Sequence, residues 1–302
     1  MANLREIKQR AKSVTNTQQI TRAMKMVAAA KLRKAQERAL AARPFAFKLK
    51  EMLTNVAGNS AELVHPLLEV REVEKVGIII LTSDKGLAGA YNSNVLKHAK
   101  ELIDQNMDKQ LEFILIGKKA VDYMNRLKKQ YDAEISGRAD SFKVIKSFIE
   151  LPDAVSFNEA KGIADLAIDL YEKSDLDTVY VVYNKFVSAM SQVPTTVKLL
   201  PLETDELKEE GGNKVQDQYI FEPSPEEILT QLLPKYIEIM IYQTLLESRA
   251  SEHGARMVAM GSATDNAGEI IDRLTLLYNR ARQANITTEI SEIVSGAEAL
   301  KA

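Results

Sequence analysis

The chain has 302 residues, 45% of them hydrophobic, with a formal net charge of −2 and no cysteine. That length admits two domains and the composition supplies a core, while the near-neutral balance gives no global reason to bind nucleic acid. Without cysteine there is no disulfide, no thiolate metal site and no cysteine nucleophile.

The first residues, MANLREIKQR, contain no apolar stretch and no cleavage site, so no secretory signal is expected. They are basic in the manner of a transit peptide, but the pattern runs on far too long. No apolar run approaches the roughly 18 residues a membrane crossing needs, so no direct membrane insertion is expected.

From about Leu4 to Val56 the spacing predicts one long helix, with Leu4, Ile7, Ala11, Val14, Ile20, Met24 and Val27 on its apolar stripe. Pro44 is expected to kink or interrupt it. Residues 1–50 hold thirteen Lys or Arg against only Glu6 and Glu37. A basic helix suits RNA or a membrane surface. Yet no aromatic precedes Phe45, which removes both the stacking residues of single-strand binders and bulky interfacial anchors.

The middle changes period. Val76–Leu81 is a short apolar run that predicts a buried strand, and the turn Ser83-Asp84-Lys85-Gly86-Leu87-Ala88-Gly89 leads into a helix through about Leu102. A strand follows at Leu111–Ile116, a helix at Lys118–Leu127, and a weaker strand at Tyr131–Ile135. A helix near Asn158–Tyr171 precedes a strong strand at Thr178–Phe186, and Ser188–Leu202 returns as an extended segment. Alternating strands and helices predict a parallel sheet covered by helices. Glu203–Asp217 is polar and Gly-interrupted, the composition of a mobile loop.

The last stretch, Ser224–Ala302, begins Ser-Pro-Glu-Glu, the pattern of a capping box with proline at the first helical position. A continuous helix of that length would span roughly 110 Å. Leu229, Leu233, Tyr236 and Met240, and later Thr264, Ile271 and Tyr278, recur at helical spacing. Gly254, Gly261 and Gly268 fall seven apart, a coiled-coil period that predicts close approach of a second helix. Residues 225–302 hold seven Lys or Arg against eleven Asp or Glu, opposite in sign to the N-terminal helix. Pairing of the two termini is therefore expected. The predicted fold class is α/β: a long antiparallel coiled coil of the N- and C-terminal helices with an inserted Rossmann-like α/β domain. Its boundaries fall at residues 1–70, 71–222 and 223–302.

No catalytic constellation emerges. Gly86-Leu87-Ala88-Gly89 sits where phosphate-binding loops sit, but no G-x-G-x-x-G or G-x-x-x-x-G-K-[ST] occurs, and tight strand–helix packing accounts for it better. His65, His98 and His253 lack ligand spacing, so no metal and no cofactor is expected. Ser83 has no G-x-S-x-G around it. Two rival readings stay in view: a basic-helix RNA partner, and an enzyme whose middle domain binds a nucleotide.

Several segments carry a resemblance. The run from Ile7-Lys8 through Ser13-Val14-Thr15-Asn16-Thr17-Gln18-Gln19-Ile20-Thr21-Arg22-Ala23-Met24-Lys25-Met26-Val27-Ala28-Ala29-Ala30-Lys31-Leu32 is similar to the gamma subunits of F-type ATP synthases of bacterial type. So are Ser83–Leu87, Met190–Pro194, Ala255–Met260 with Ala263–Asn266, Tyr278–Thr287 and Glu292–Ala297. The resemblance covers essentially the whole chain, and the lack of cysteine argues against the redox-regulated chloroplast version.

What the resemblance implies goes beyond spacing. The terminal helices would form the axle inside a hexamer of alpha and beta subunits. The α/β domain would meet the epsilon subunit and the membrane c ring, and proton flow would turn the assembly. The nucleotide chemistry would belong to the beta subunits, leaving this chain a non-catalytic rotor on the cytoplasmic side of the cell membrane. Contacts with the beta subunits fall on Met24 and Lys25, with Arg256 similar. Arg282, Gln283 and Thr287 match the segment reaching the upper hexamer, and Tyr219 and Glu222 the segment facing the c ring and epsilon.

Overall fold

A computed structural model describes residues 4–59, 65–134, 142–202 and 224–299. In chain order these form α1 (Leu4–Asn59), a 3-10 turn (Pro66–Leu68), β1 (Lys75–Leu81), α2 (Tyr91–Gln105) and β2 (Gln110–Ile116). Then follow α3 (Lys118–Glu134), β3 (Phe142–Phe148), α4 (Phe157–Glu172), β4 (Thr178–Phe186), β5 (Gln192–Leu200) and α5 (Pro225–Ala299). The chain divides into two compact units, one of Met1–Ala28 with Arg256–Ala302 and one of Ala29–Ala255.

In the larger unit the strands lie in the order β3-β2-β1-β4-β5. The first four are parallel and β5 returns antiparallel to β4. Parallel strands need cover on both faces, and the period-2 alternation supplies two apolar faces. Ile78, Ile80, Leu111, Phe113 and Leu115 pack under α2 and α3 through Val95, Ala99, Ile103, Ala120 and Met124. Ile79, Leu81, Ile114, Ile116, Val179 and Val181 face the other way. They meet α4 (Ile163, Ala164, Ala167), the α5 stripe Leu229, Leu233, Ile237 and Ile241, and Leu53 and Val56 of α1.

Three expectations are corrected. The weak strand at Tyr131–Ile135 is absent over its described residues: α3 runs through Glu134, and the third strand is Phe142–Phe148. Tyr131 belongs to a helix that stacks its ring on Phe142, centroids 5.1 Å apart. The true strand, FKVIKSF, is an edge whose exposed lysines blur the alternation. Pro44 does not interrupt α1, because the residues just beyond it, Ala46 and Leu49, bury against Ile239 of α5. Gly254 meets no second helix; a Cβ there would lie 3.3 Å from Ala189 Cα and from the Phe186 ring, in and beside the β4–β5 hairpin.

Charged ties hold the helices to the domain. Glu238 of α5, 2% exposed, accepts hydrogen bonds from Lys161 Nζ of α4 at 2.7 Å and Lys235 Nζ at 2.8 Å. Burial pushes its carboxyl up, but the two lysines outweigh that and hold it below the usual range. Asp153, in the loop after β3, accepts from Lys31 Nζ of α1 at 2.6 Å and lies 3.5 Å from His253 Nε2 of α5. Burial raises that carboxyl as well, while Lys31 and then His253 and Arg249 lower it further.

Backbone demands are sharp at Gly117, where φ is +88° and any Cβ would collide with the Thr82 carbonyl. Gly117→Ala should cost about 2 kcal/mol or more in urea unfolding. Gly162, exposed inside α4 with open space around it, should gain about 0.5–1 kcal/mol on change to Ala. A group with a lowered folded pKa stabilises above its unfolded pKa, and that contribution is lost as pH falls through the folded value. Glu238→Gln should therefore lower the melting midpoint at pH 7, and the gap to wild type should close below about pH 4; a gap that persists unchanged into acid would contradict the assignment.

Candidate functional site

The one place where a sheet of this topology offers a ligand crevice is outside the carboxyl ends of β1 and β4, where the strand order reverses. In this chain α5 fills it. Tyr91, opening α2, is 2% exposed and its hydroxyl lies 2.6 Å from Ser248 Oγ of α5. Asn184 Nδ2 donates to the Tyr91 carbonyl at 2.8 Å, and Ser251 Oγ of α5 donates to the Asn184 carbonyl at 2.8 Å. Ala255 packs on Ala88 and Tyr91, completing the seal.

The Ser83–Gly89 turn is committed to this packing. Ser83 is fully buried, its hydroxyl within 2.6 Å of the Lys85 carbonyl and sharing a bond with Asn92. Asp84 Oδ1 accepts from the backbone N–H groups of Lys118 and Glu150, at 3.0 and 3.1 Å, and so ties together the ends of β1, β2 and β3. The three histidines sit apart: His65 Nδ1 accepts from Leu67 N, His98 Nε2 pairs with Thr196 Oγ1, and His253 faces Asp153. No group of three or more potential metal ligands occurs among the described residues.

The smaller unit is a pair of helices. Thr264 Oγ1 lies 2.8 Å from Thr21 Oγ1, and Gln18 Nε2 donates to the Thr264 carbonyl at 3.4 Å. Lys25 lies along Gly261 and Gln18 along Gly268. Numbers fall on α1 as they rise on α5, so the pair is antiparallel. Ala28, Met260, Ala267 and Leu274 are buried in or beside its seam. By that register Leu4 comes level with about Arg282, and α5 continues past it.

The residues matched to beta contacts fall in this unit. Met24 is half-buried and Lys25 exposed; Arg256 is half-buried. Arg282, Gln283 and Thr287 are all exposed, on the part of α5 that passes the start of α1. Thr287 Oγ1 donates to the Gln283 carbonyl at 2.9 Å, which holds its side chain on its own helix. Tyr219 and Glu222 lie outside the described residues, as does the loop 203–217. Residue-by-residue matching overlooked an apolar feature beside these positions. Ile286, Ile290 and Ile293 stand 46%, 56% and 71% exposed at helical spacing, and Ile20, Met26 and Val27 on α1 are 54–62% exposed. The signal was in the sequence: an apolar stripe that continues where α1 can no longer cover it.

Among the described residues no helix is long and apolar enough to cross a membrane. The family model described as ATP synthase matches residues 3–300. The ATP synthase gamma chain of Desulfitobacterium hafniense is 50% identical over 301 residues, covering all of both chains. That of Pelotomaculum thermopropionicum is 48% identical over 302, again covering all of both. Among solved structures, one from the central stalk and c ring of Tetrahymena thermophila mitochondrial ATP synthase aligns with TM-score 0.58 and 28% identity, covering 81% of this chain and 99% of that one. With family, relatives and fold agreeing over nearly its full length, the chain belongs to the family of ATP synthase gamma chains.

Proposed function

We propose that the chain is the central-stalk rotor of an F-type ATP synthase, coupling proton flow through a membrane c ring to conformational cycling of nucleotide sites held by beta subunits. One observation carries the reading furthest. The two features that could make an enzyme or an axle point in opposite directions: the ligand crevice is filled by α5 through Tyr91–Ser248 and Asn184–Ser251, while the far end of α5 stands exposed. A chain built this way has surface to offer a partner, and among the described residues its switch-point crevice is taken up by its own helix.

The mechanism is a population shift. A rotor meets equivalent stations in turn, and each angle favours a different beta conformation by the contacts it makes there. No single contact can be strong enough to trap rotation. Exposed Lys25, Arg282, Gln283 and Thr287 suit that demand, since a solvated pair is worth at most about 1 kcal/mol. Ile286, Ile290 and Ile293 add non-directional apolar surface, which resists turning less than oriented hydrogen bonds do. In this reading residues 1–70 and 223–302 serve as the axle, and residues 71–222 as the base that meets epsilon and the c ring. Tyr219 and Glu222 belong to that base. The chain sits peripherally on the cytoplasmic side of the cell membrane, held there by the ring, and carries out no catalysis.

Mixing the full chain with alpha and beta subunits should produce ATP hydrolysis that no component shows alone, with one copy of this chain per hexamer; hydrolysis by the isolated chain would overturn the reading. Millimolar ATP should leave the melting midpoint of the isolated chain unmoved. The triple change Arg282→Ala, Gln283→Ala, Thr287→Ala should likewise leave that midpoint in place while slowing turnover of the assembled complex several-fold, as expected from losing about 1 kcal/mol of differential contact.

A further inference from the structure

The seam of the helix pair contains a polar layer that its shape does not require. Thr21 is 9% exposed and faces Thr264 across the seam. Thr21 Oγ1 lies 3.0 Å from the Gln18 carbonyl of its own helix, and Thr264 Oγ1 lies 2.7 Å from the Met260 carbonyl of its own. The hydroxyls lie 2.8 Å from each other. Three oxygen contacts thus share two hydroxyl protons. When one threonine bonds back to its own helix and the other donates across the seam, the close oxygen pair is satisfied, whichever of the two donates.

The layers on either side are alike in shape. Lys25 lies over Gly261 and Gln18 over Gly268, two long polar side chains seven residues apart on two glycines seven residues apart. A slide of one heptad, about 10 Å, would set Lys25 on Gly268 in one direction and Gln18 on Gly261 in the other. Both helices run on into the larger unit, where Leu53 and Val56 of α1 and Leu233 and Ile237 of α5 are fixed in one core. A slide here is therefore a shift confined to the smaller unit, within which steric fit separates the alignments poorly. The threonines separate them well. The same slide would bring Thr21 opposite Met257 or Ile271, and Thr264 opposite Val14 or Ala28, none of which has a side-chain oxygen. Each misalignment loses the cross-helix bond and leaves each hydroxyl bonded only to its own helix, at the Gln18 and Met260 carbonyls, and smaller slides break the 2.8 Å contact as well.

We infer that Thr21 and Thr264, braced by Gln18, pin the alignment of the helix pair: they hold it against sliding while contributing little to its stability. A polar residue inside an otherwise permissive helix interface is a known way to specify register at some cost in stability. The inference does not depend on the rotor reading, since it concerns the chain by itself.

The chain has no cysteine, so Ser13→Cys and Ser262→Cys, both exposed and offset along the pair, can carry spin labels in the full chain. Double electron–electron resonance on the labelled parent should give one narrow distance. Thr21→Val with Thr264→Val, which removes both hydroxyls and keeps their shape, should leave the melting midpoint unchanged or raised. The distance distribution should broaden or split toward alignments displaced along the axis. Each single Val change should broaden it too, because either one abolishes the cross-helix bond. Thr275→Val serves as the control: this exposed threonine bonds the Ile271 carbonyl of its own helix at 2.8 Å and should change nothing. A distribution in the double Val variant as narrow as the parent's would overturn the inference. So would a large loss of stability, because the threonines would then be bulk supports rather than a pin.

Discussion

A mostly parallel sheet must be covered on both faces, and that requirement governs how the larger unit is built. Two helices of the domain, α2 and α3, cover one face. On the other, α4 shares the work with α5, whose Leu229, Leu233, Ile237 and Ile241 complete the core. A terminal helix that supplies a domain's core cannot be removed without exposing that core. The buried Glu238 between Lys161 and Lys235 adds direction to an attachment that is otherwise apolar.

The same helix decides the chemistry of the domain by occupying a position. The reversal of strand order leaves a crevice, and in other sheets of this kind a crevice there takes a ligand. Here Ser248, Ser251 and Ala255 bring small side chains close to the strand ends, and Tyr91 and Asn184 answer with hydrogen bonds. Gly254 permits the β4–β5 hairpin to approach in the same place. The fold is one that hosts enzymes, and this member of it has its switch point closed by its own chain.

The helix pair follows a different rule from the sheet. The larger unit buries large aliphatic side chains in quantity, whereas the paired helices meet through Thr21, Thr264, Ala28, Ala267 and two glycines, with Met260 and Leu274 beside them. Small and polar residues give a slender seam whose alignment is specified by hydrogen bonding. Beyond about Arg282 the helix runs past the start of α1 among the described residues, and its isoleucines are exposed. Their exposure falls among Arg282, Gln283 and Thr287, the positions matched to the segment reaching the upper hexamer.

Local sequence settled most of the elements. The α5 stripe, read as Leu229, Leu233, Tyr236 and Met240, buries Ile237 and Ile241 more deeply than Tyr236 and Met240, which are half-buried. The apolar run Val76–Leu81 and the nine residues of β4, by contrast, each satisfied a single period strongly enough that packing only confirmed them. The Ser224 cap is legible for the same reason, its hydroxyl accepting from Glu227 N at 3.3 Å as the spacing requires. Family membership was legible too, because long contiguous motifs survive without any knowledge of contacts. Tertiary structure decided what local periodicity cannot encode. It carried α1 through Pro44, kept Tyr131 in a helix, moved the third strand to an edge rich in lysine, and set Gly254 against a hairpin instead of a helix. It also filled the crevice and brought Thr21 to Thr264. Each of these outcomes depends on what lies opposite a residue in space, and a linear pattern records only what lies beside it.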